Sequence, residues 1–138
     1  LFIHNTYSSV QDIDFAVANF ENSFFCLCPK SNLYIENQLP DINHFLKYPH
    51  KITIGTDSLA SNDNLSVLDE MFILQSYFTQ ITLSQLIQWA TINGAKALGI
   101  EQNFGSIEKG KKPGLNLIQN IDFDTMKLKE ESTVLRLI

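Results

Sequence analysis

Three short apolar segments alternate with segments of helical pattern in the first hundred residues, and this alternation constrains the fold more than any other feature. The apolar segments are LFI at 1–3, SFFCLCP at 23–29 and KITIGTD at 51–57. Strands that are apolar throughout are typical of parallel sheets, because helices cover both faces of such a sheet. The sequence therefore predicts an α/β fold.

Helix starts are predicted where a hydroxyl residue precedes an acidic or amide residue by three positions. Such pairs occur at Ser9 and Asp12, at Ser66 and Asp69, and at Thr82 and Gln85. Pro40 is expected to open another helical stretch, and Gly99 to end the last helix. Pro29, Ser31 and Asn32 are expected to form a turn after the second strand.

The last part of the chain has a different character. The turn-rich stretch GSIEKGKKPG is followed by LNLIQNI and MKLKEESTVLRLI, which predict short paired β-strands. We therefore predict two units, residues 1–104 and residues 105–138. Gly105–Lys111 has the spacing of a phosphate-binding loop, but Lys112 stands where Ser or Thr is needed and Pro113 follows. A basic turn is expected there instead.

Composition and charge exclude several classes of function. Ten Lys and Arg against fifteen Asp and Glu give a net charge of -5, without the basic cluster of a nucleic-acid interface. No apolar run approaches the ~20 residues of a membrane span, and the N-terminal residues lack a signal-peptide pattern. Cys26 and Cys28 are expected to be buried thiols in a reducing compartment. We predict a cytoplasmic protein that binds neither nucleic acid nor membrane.

The candidate site lies at the strand ends. In parallel α/β folds, the polar residues that perform chemistry follow the C-terminal ends of the strands. His4 follows the first apolar segment, and Asp57 ends the third. The pattern alone leaves the roles of both residues open, because Asp57 could be a cap or turn aspartate and His4 could be a hydrogen-bonded core histidine.

Four motifs occur after His4 in a characteristic order. They are CPKSNL at 28–33, GTDSLASN at 55–62, ATINGAKALG at 90–99 and GSIEKGK at 105–111. With these motifs the chain resembles the C-terminal part of the amidohydrolase superfamily. The most similar branch is the metal-dependent deaminases and chlorohydrolases of cytosine, guanine, S-adenosylhomocysteine or triazines.

The resemblance implies a fold for the whole chain. Strands six to eight of a TIM-type (β/α)8 barrel, with their helices, would be followed by part of a small β-sandwich domain. A complete barrel takes roughly 250 residues, so a chain of 138 residues would hold only its C-terminal portion.

The resemblance also implies roles for both strand-end residues. Asp57 matches an aspartate that binds the metal and takes a proton from metal-bound water, and His4 matches a histidine that contacts the substrate or the attacked water. The full-length protein would hydrolyse a C–N bond of an aminated heterocycle, amidine or amide, as a deaminase or chlorohydrolase. Its divalent metal, zinc or iron, would be its cofactor.

The family's other metal ligands lie upstream of the matched region, and a catalytic zinc usually has three protein ligands. We therefore expect the isolated chain to bind no metal and to be inactive. The alternative is a non-catalytic assembly module in which Asp57 is structural. An open partial barrel leaves strand edges unpaired, so a homodimer is expected.

Overall fold

The computed structural model describes residues 1–138. Strands and helices alternate from the first residues onward. The elements are β1 (Phe2–Ile3), α1 (Val10–Asn19), β2 (Phe25–Leu27), α2 (Pro29–Glu36), β3 (Ile52–Ile54), α3 (Val67–Tyr77), α4 (Leu83–Ala90), α5 (Ile92–Ala97), β4 (Asn116–Gln119) and β5 (Thr133–Arg136), with short 3-10 helices at Ile42–His44 and Pro49–Lys51.

The first three strands form a parallel sheet in the order β1-β2-β3. Phe2 pairs with Phe25, and Phe25 pairs in turn with Ile52. The predicted α/β architecture is therefore confirmed, and the C-terminal ends of all three strands meet at one edge of the sheet. β1 and β3 are the outer strands, and Leu1 and Ile3 beside the β1 edge are exposed.

The predicted helix starts are confirmed by their capping bonds. Ser9 and Thr82 each form a full capping box, in which the hydroxyl accepts a backbone N–H and the residue three positions later bonds back. The Ser66 hydroxyl accepts the N–H of Asp69. These bonds satisfy amide groups that have no partner within the first helical turn.

Three local predictions were wrong. Pro29 begins helix α2 rather than a turn, because proline's fixed φ and missing N–H suit the first helical position. Pro40 opens no α-helix, and only the 3-10 turn at Ile42–His44 follows, capped by Asp41. The helical stretch that ends near Gly99 is broken at Thr91, whose φ of -126° and ψ of -89° are not helical.

The core lies between the sheet and its helices. It contains sixteen buried apolar residues, and Trp89, Phe45 and Leu74 are fully inaccessible to solvent. Leu128 belongs to the same core, and its N–H donates to the Gln75 side chain on α3 at 2.8 Å. The C-terminal segment thus packs directly against the helices that cover the parallel sheet.

The predicted pairing of the last two strands is confirmed, because β4 and β5 are antiparallel neighbours. Between α5 and β4 the chain forms turns, and the Lys111 ammonium donates to the Ser106 hydroxyl at 2.7 Å. No strand leads into Gly105–Lys111 and no helix follows it. The structure contains no helix with the length and apolar character that crossing a membrane requires.

Candidate active site

His4 and Asp57 both lie directly beyond the parallel strands, at the edge where the strand ends meet. His4 follows β1 and Asp57 lies three residues after β3. Both have left-handed backbone conformations, with φ of +68° at His4 and +56° at Asp57. Such conformations cost about 1–3 kcal/mol, so they persist only where surrounding contacts hold them. The chain therefore leaves both strands through turns that the neighbouring loops must stabilise.

Two serine hydroxyls hold the Asp57 carboxylate. Ser61 Oγ donates to Asp57 Oδ2 at 2.5 Å, and Ser31 Oγ donates to the same oxygen at 2.8 Å. Oδ1 has no side-chain donor. The bonds from Ser61 and Ser31 hold the pKa of Asp57 below its usual range, and the charge of His4 contributes less. The backbone N–H of Ser58 adds a smaller effect, so Asp57 is an ionised carboxylate whose Oδ2 is fixed by two hydroxyls and whose Oδ1 has no side-chain donor.

The first turn of α2, which follows β2, contacts the loops beyond the other two strands. Ser31 is completely buried, although Asp57, the carboxylate it contacts, is exposed. The neighbouring Asn32 is also buried, and its amide donates to the Thr6 hydroxyl in the loop after β1 at 2.6 Å. The start of α2 thus reaches the β3 loop through Ser31 and the β1 loop through Asn32.

A second carboxylate, Glu70 on α3, lies behind this edge. It is completely buried, and burial raises its pKa, although hydrogen bonds from the Lys30 N–H and the Asn62 side chain partly oppose that effect. Lys30 also forms ion pairs with Asp63 and Asp69. Burying a carboxylate is costly unless its oxygens are hydrogen-bonded, so these bonds are needed to keep Glu70 in place.

The two cysteines face β3, Cys26 from the central strand and Cys28 from the residue directly after it. A side-chain carbon at Gly55 would lie 2.8 Å from Cys26 Sγ and 3.5 Å from Cys28 Sγ, so both sulfurs pack beside this glycine. Both thiols are free, and Cys28 is buried as predicted, but Cys26 is only half-buried. A hydrogen bond between the two thiols lowers the pKa of Cys26 and raises the pKa of Cys28.

Sequence reasoning identified His4 and Asp57 but missed the residues that hold Asp57. Ser31 fell in a segment predicted only as a turn, and Ser61 stood in a loop without an assigned role. Glu70 carried a detectable signal, because it lies four residues before Leu74 and so shares the buried face of α3. A charged residue on such a face requires buried polar partners.

The cavity beside α3 and α4 lies apart from the strand ends. Its volume is about 430 Å³, and its lining includes Gln75, Ile87 and Met126. Neither His4 nor Asp57 lines this cavity. The strand-end edge therefore remains the candidate site, because it is there that the ionised carboxylate and the histidine lie.

The chain is similar to known proteins in sequence and in fold. A model described as "Amidohydrolase family" matches residues 1–137. The chain belongs to the amidohydrolase family. The predicted membership of this superfamily is thereby confirmed.

Individual relatives of this amidohydrolase chain are named as deaminases. It is 32% identical over 120 residues to an adenosine deaminase of Helicobacter pylori, covering 85% of this chain and 29% of the relative. It is 35% identical over 98 residues to a 5-methylthioadenosine/S-adenosylhomocysteine deaminase of Moorella thermoacetica, and this match covers 66% of the chain and 23% of the relative. A crystal structure of an adenosine deaminase from Xanthomonas campestris contains bound zinc. It superposes on the chain with a TM-score of 0.72 at 25% identity, and the match covers 84% of this chain and 28% of the relative.

The amidohydrolase chain spans less than a third of the length of these three relatives. Among residues 1–138, no three His, Cys, Asp or Glu side chains come together in an arrangement that could hold a metal ion. Asp57 offers one carboxylate oxygen, whereas a catalytic zinc usually has three protein ligands. The donor set of this chain alone therefore does not fit a divalent metal.

Proposed function

We propose that residues 1–138 are the C-terminal part of a longer hydrolase that removes an amino group from an aminated heterocycle. In this proposal β1, β2 and β3 are strands six to eight of a (β/α)8 barrel, and residues 105–138 belong to a companion β domain. The parallel order of the strands and the family match support the proposal. Because two relatives are named for adenosine or methylthioadenosine, 6-aminopurine nucleosides are the first substrates to test.

The observation that carries the proposal is the state of the Asp57 carboxylate. Both serine hydroxyls contact Oδ2, and the lowered pKa keeps the group ionised at neutral pH. A general base needs an unprotonated atom that the attacking water can approach, and Oδ1 of the exposed Asp57 carries no side-chain donor that would block it. We assign Asp57 the role of general base, which takes a proton from water and delivers it to the leaving nitrogen.

Asp57 is also proposed as one ligand of a divalent metal, zinc or iron. The zinc bound to the Xanthomonas relative supports a metal in the full-length protein. The remaining ligands would come from outside residues 1–138, because this chain brings no further donors to Asp57. We expect the isolated chain to be inactive for that reason.

His4 is proposed to assist the same reaction as a hydrogen-bond donor. It is half-buried at the end of β1, and its charge contributes to the lowered pKa of Asp57. A donor placed there would stabilise negative charge that develops on the substrate as water attacks. Dechlorination by the same groups, cytoplasmic location and a homodimer remain predictions. The non-catalytic alternative is not favoured, because the relatives described above are named as enzymes.

The test compares two aspartates of the same loop in the full-length protein. Asp57→Asn should lower kcat for release of ammonia from adenosine or 5'-methylthioadenosine by about 10²–10⁴-fold, the usual contribution of a general base. Asp63→Asn is the matched control, because Asp63 is exposed and contacts only Lys30 among side chains. It should keep kcat within about threefold, as is usual for an exposed residue outside a site. Unchanged turnover in Asp57→Asn would refute the assignment.

A further inference from the structure

Glu70 bridges two segments beside Asp57, the start of helix α2 and the loop after β3. Its Oε2 accepts the backbone N–H of Lys30 at 2.9 Å, in the first turn of α2. Its Oε1 accepts the side-chain amide of Asn62 at 2.6 Å, in the loop after β3. One fully buried carboxylate thus fixes the distance between two segments that are remote in sequence.

The residues that Glu70 holds are the direct chain neighbours of the two serines. Lys30 precedes Ser31, and Asn62 follows Ser61. Both serines donate to Asp57 Oδ2. A shift of either segment away from Glu70 would therefore carry a hydroxyl away from Asp57, because adjacent residues share a rigid peptide plane.

Asn62 also connects Glu70 to the backbone beside Asp57. Its amide also donates to the carbonyl of Thr56, the residue before Asp57, at 2.8 Å. Asp57 has the left-handed φ of +56° that needs such support. Glu70 and Asn62 together thus support the backbone of Asp57, while the serines orient its side chain.

We propose that Glu70 is the positioning residue of this site, and that it holds Ser31 and Ser61 so that Asp57 Oδ2 is fixed and Oδ1 is available to water. The proposal rests on the role proposed for Asp57. Glu70 is completely buried and has no direct bond to Asp57, so it acts only through the start of α2 and the loop after β3.

Glu70→Gln is the sharpest variant, because it keeps the size of the side chain and removes one of its two acceptors. Whichever way the amide is oriented, its NH2 group faces either the Lys30 N–H or the Asn62 amide, and two donors cannot bond to each other. One connection is therefore lost. In the full-length protein, kcat should fall about 10–100-fold, as for other residues that orient a reacting group through hydrogen bonds, while KM changes less than about threefold.

Asp69→Asn is the matched control on the same turn of α3. Its carboxylate accepts hydrogen bonds from Asn64 and Ser66 and lies 3.8 Å from the Lys30 ammonium, but it contacts neither the Lys30 N–H nor Asn62. The substitution removes the same charge one residue away and should leave kcat within about threefold. If Glu70→Gln fails to fold, Asn62→Ala is the second variant. It removes the hydrogen bond to Glu70 by changing the half-buried Asn62 instead, and it should give the same loss of kcat.

Two further measurements separate positioning from general destabilisation. When Ser31 and Ser61 are both replaced by Ala, the additional loss from Glu70→Gln should be less than about threefold, because groups that act as one unit are not additive. In a crystal structure of full-length Glu70→Gln, at least one serine hydroxyl should lie beyond hydrogen-bond distance of Asp57 Oδ2. Additive losses, or unchanged kcat, would overturn the proposal.

The crystal structure also separates this proposal from the proposed function. If Asp57→Asn keeps its turnover, the role of Asp57 fails whatever Glu70 does. Serine contacts that stay unchanged in Glu70→Gln would overturn the positioning role, whether or not Asp57 is catalytic. The turnover of Asp57→Asn and the crystal structure of Glu70→Gln therefore test the two proposals independently.

Discussion

Gly105, where the chain turns from α5 toward β4, is the position at which a single methyl group should have the largest effect. A Cβ there would lie 2.7 Å from the Ala95 Cβ, 2.9 Å from the Ile92 Cα and 3.2 Å from the Thr91 carbonyl. Ordinary carbon contacts are about 3.5–4.0 Å, so the turn would have to move by about 1 Å. Two of these three atoms belong to the backbone and cannot rotate away.

The expected cost of Gly105→Ala has two parts. Overpacking against α5 costs about 1–3 kcal/mol, and the left-handed φ of +86° costs an L-residue about 1–2 kcal/mol. The reduced freedom of the unfolded chain offsets about 0.4–1 kcal/mol. We therefore expect the free energy of unfolding to fall by about 2–4 kcal/mol. With a urea m-value of about 2 kcal/mol/M, the midpoint should fall by about 1–2 M.

Gly110→Ala separates strain from collision. Gly110 has a φ of +93°, but a Cβ there would meet no atom within 4 Å. Only the backbone cost remains, so the loss should be about 0.5–1 kcal/mol. Unfolding in urea can be followed by the fluorescence of Trp89, the only tryptophan and fully buried. If the two variants agree within about 0.5 kcal/mol, the collision with α5 is absent and the reasoning is wrong.

Two further predictions concern buried groups elsewhere. Asn93 is fully buried and donates to the carbonyls of Pro49 at 3.0 Å and Ile52 at 2.7 Å, so Asn93→Ala should lower the free energy of unfolding by about 2–4 kcal/mol in the same urea assay. A loss below about 1 kcal/mol would contradict these bonds. Iodoacetamide should label Cys26 before Cys28 in the native state, because Cys26 is half-buried with a lowered pKa, whereas Cys28 is buried with a raised one. Mass spectrometry of the digested protein gives the order, and equal labelling would contradict it.

Features that depend on residues close in sequence were predictable. The capping pairs at Ser9, Ser66 and Thr82 join residues three positions apart, so each helix start could be inferred from local sequence alone. The turn predicted at Pro29 from local sequence was wrong, because a proline fits both a turn and the first residue of a helix. The helix that Pro29 begins packs against α3, a contact that the local sequence does not contain.

The candidate site was predictable only in part. His4 and Asp57 were identified because strand ends and characteristic motifs mark them, and their catalytic roles remain proposals. Glu70 and Ser31 were missed, because the bonds that give them a role join residues far apart in the sequence. Lys30 and Glu70 are 40 positions apart, and Ser31 and Asp57 are 26 apart.

The sequence by itself determined the alternation of apolar strands with capped helices, the strand-end positions of His4 and Asp57, and the motifs of the amidohydrolase family. These features depend on apolar patterning and on hydrogen bonds within one helical turn. Only the tertiary structure decided that two hydroxyls hold Asp57 on one oxygen and that Glu70 contacts both the start of α2 and the loop after β3. Parallel strands bring distant loops to one edge of the sheet, and the contacts formed there depend on three-dimensional packing.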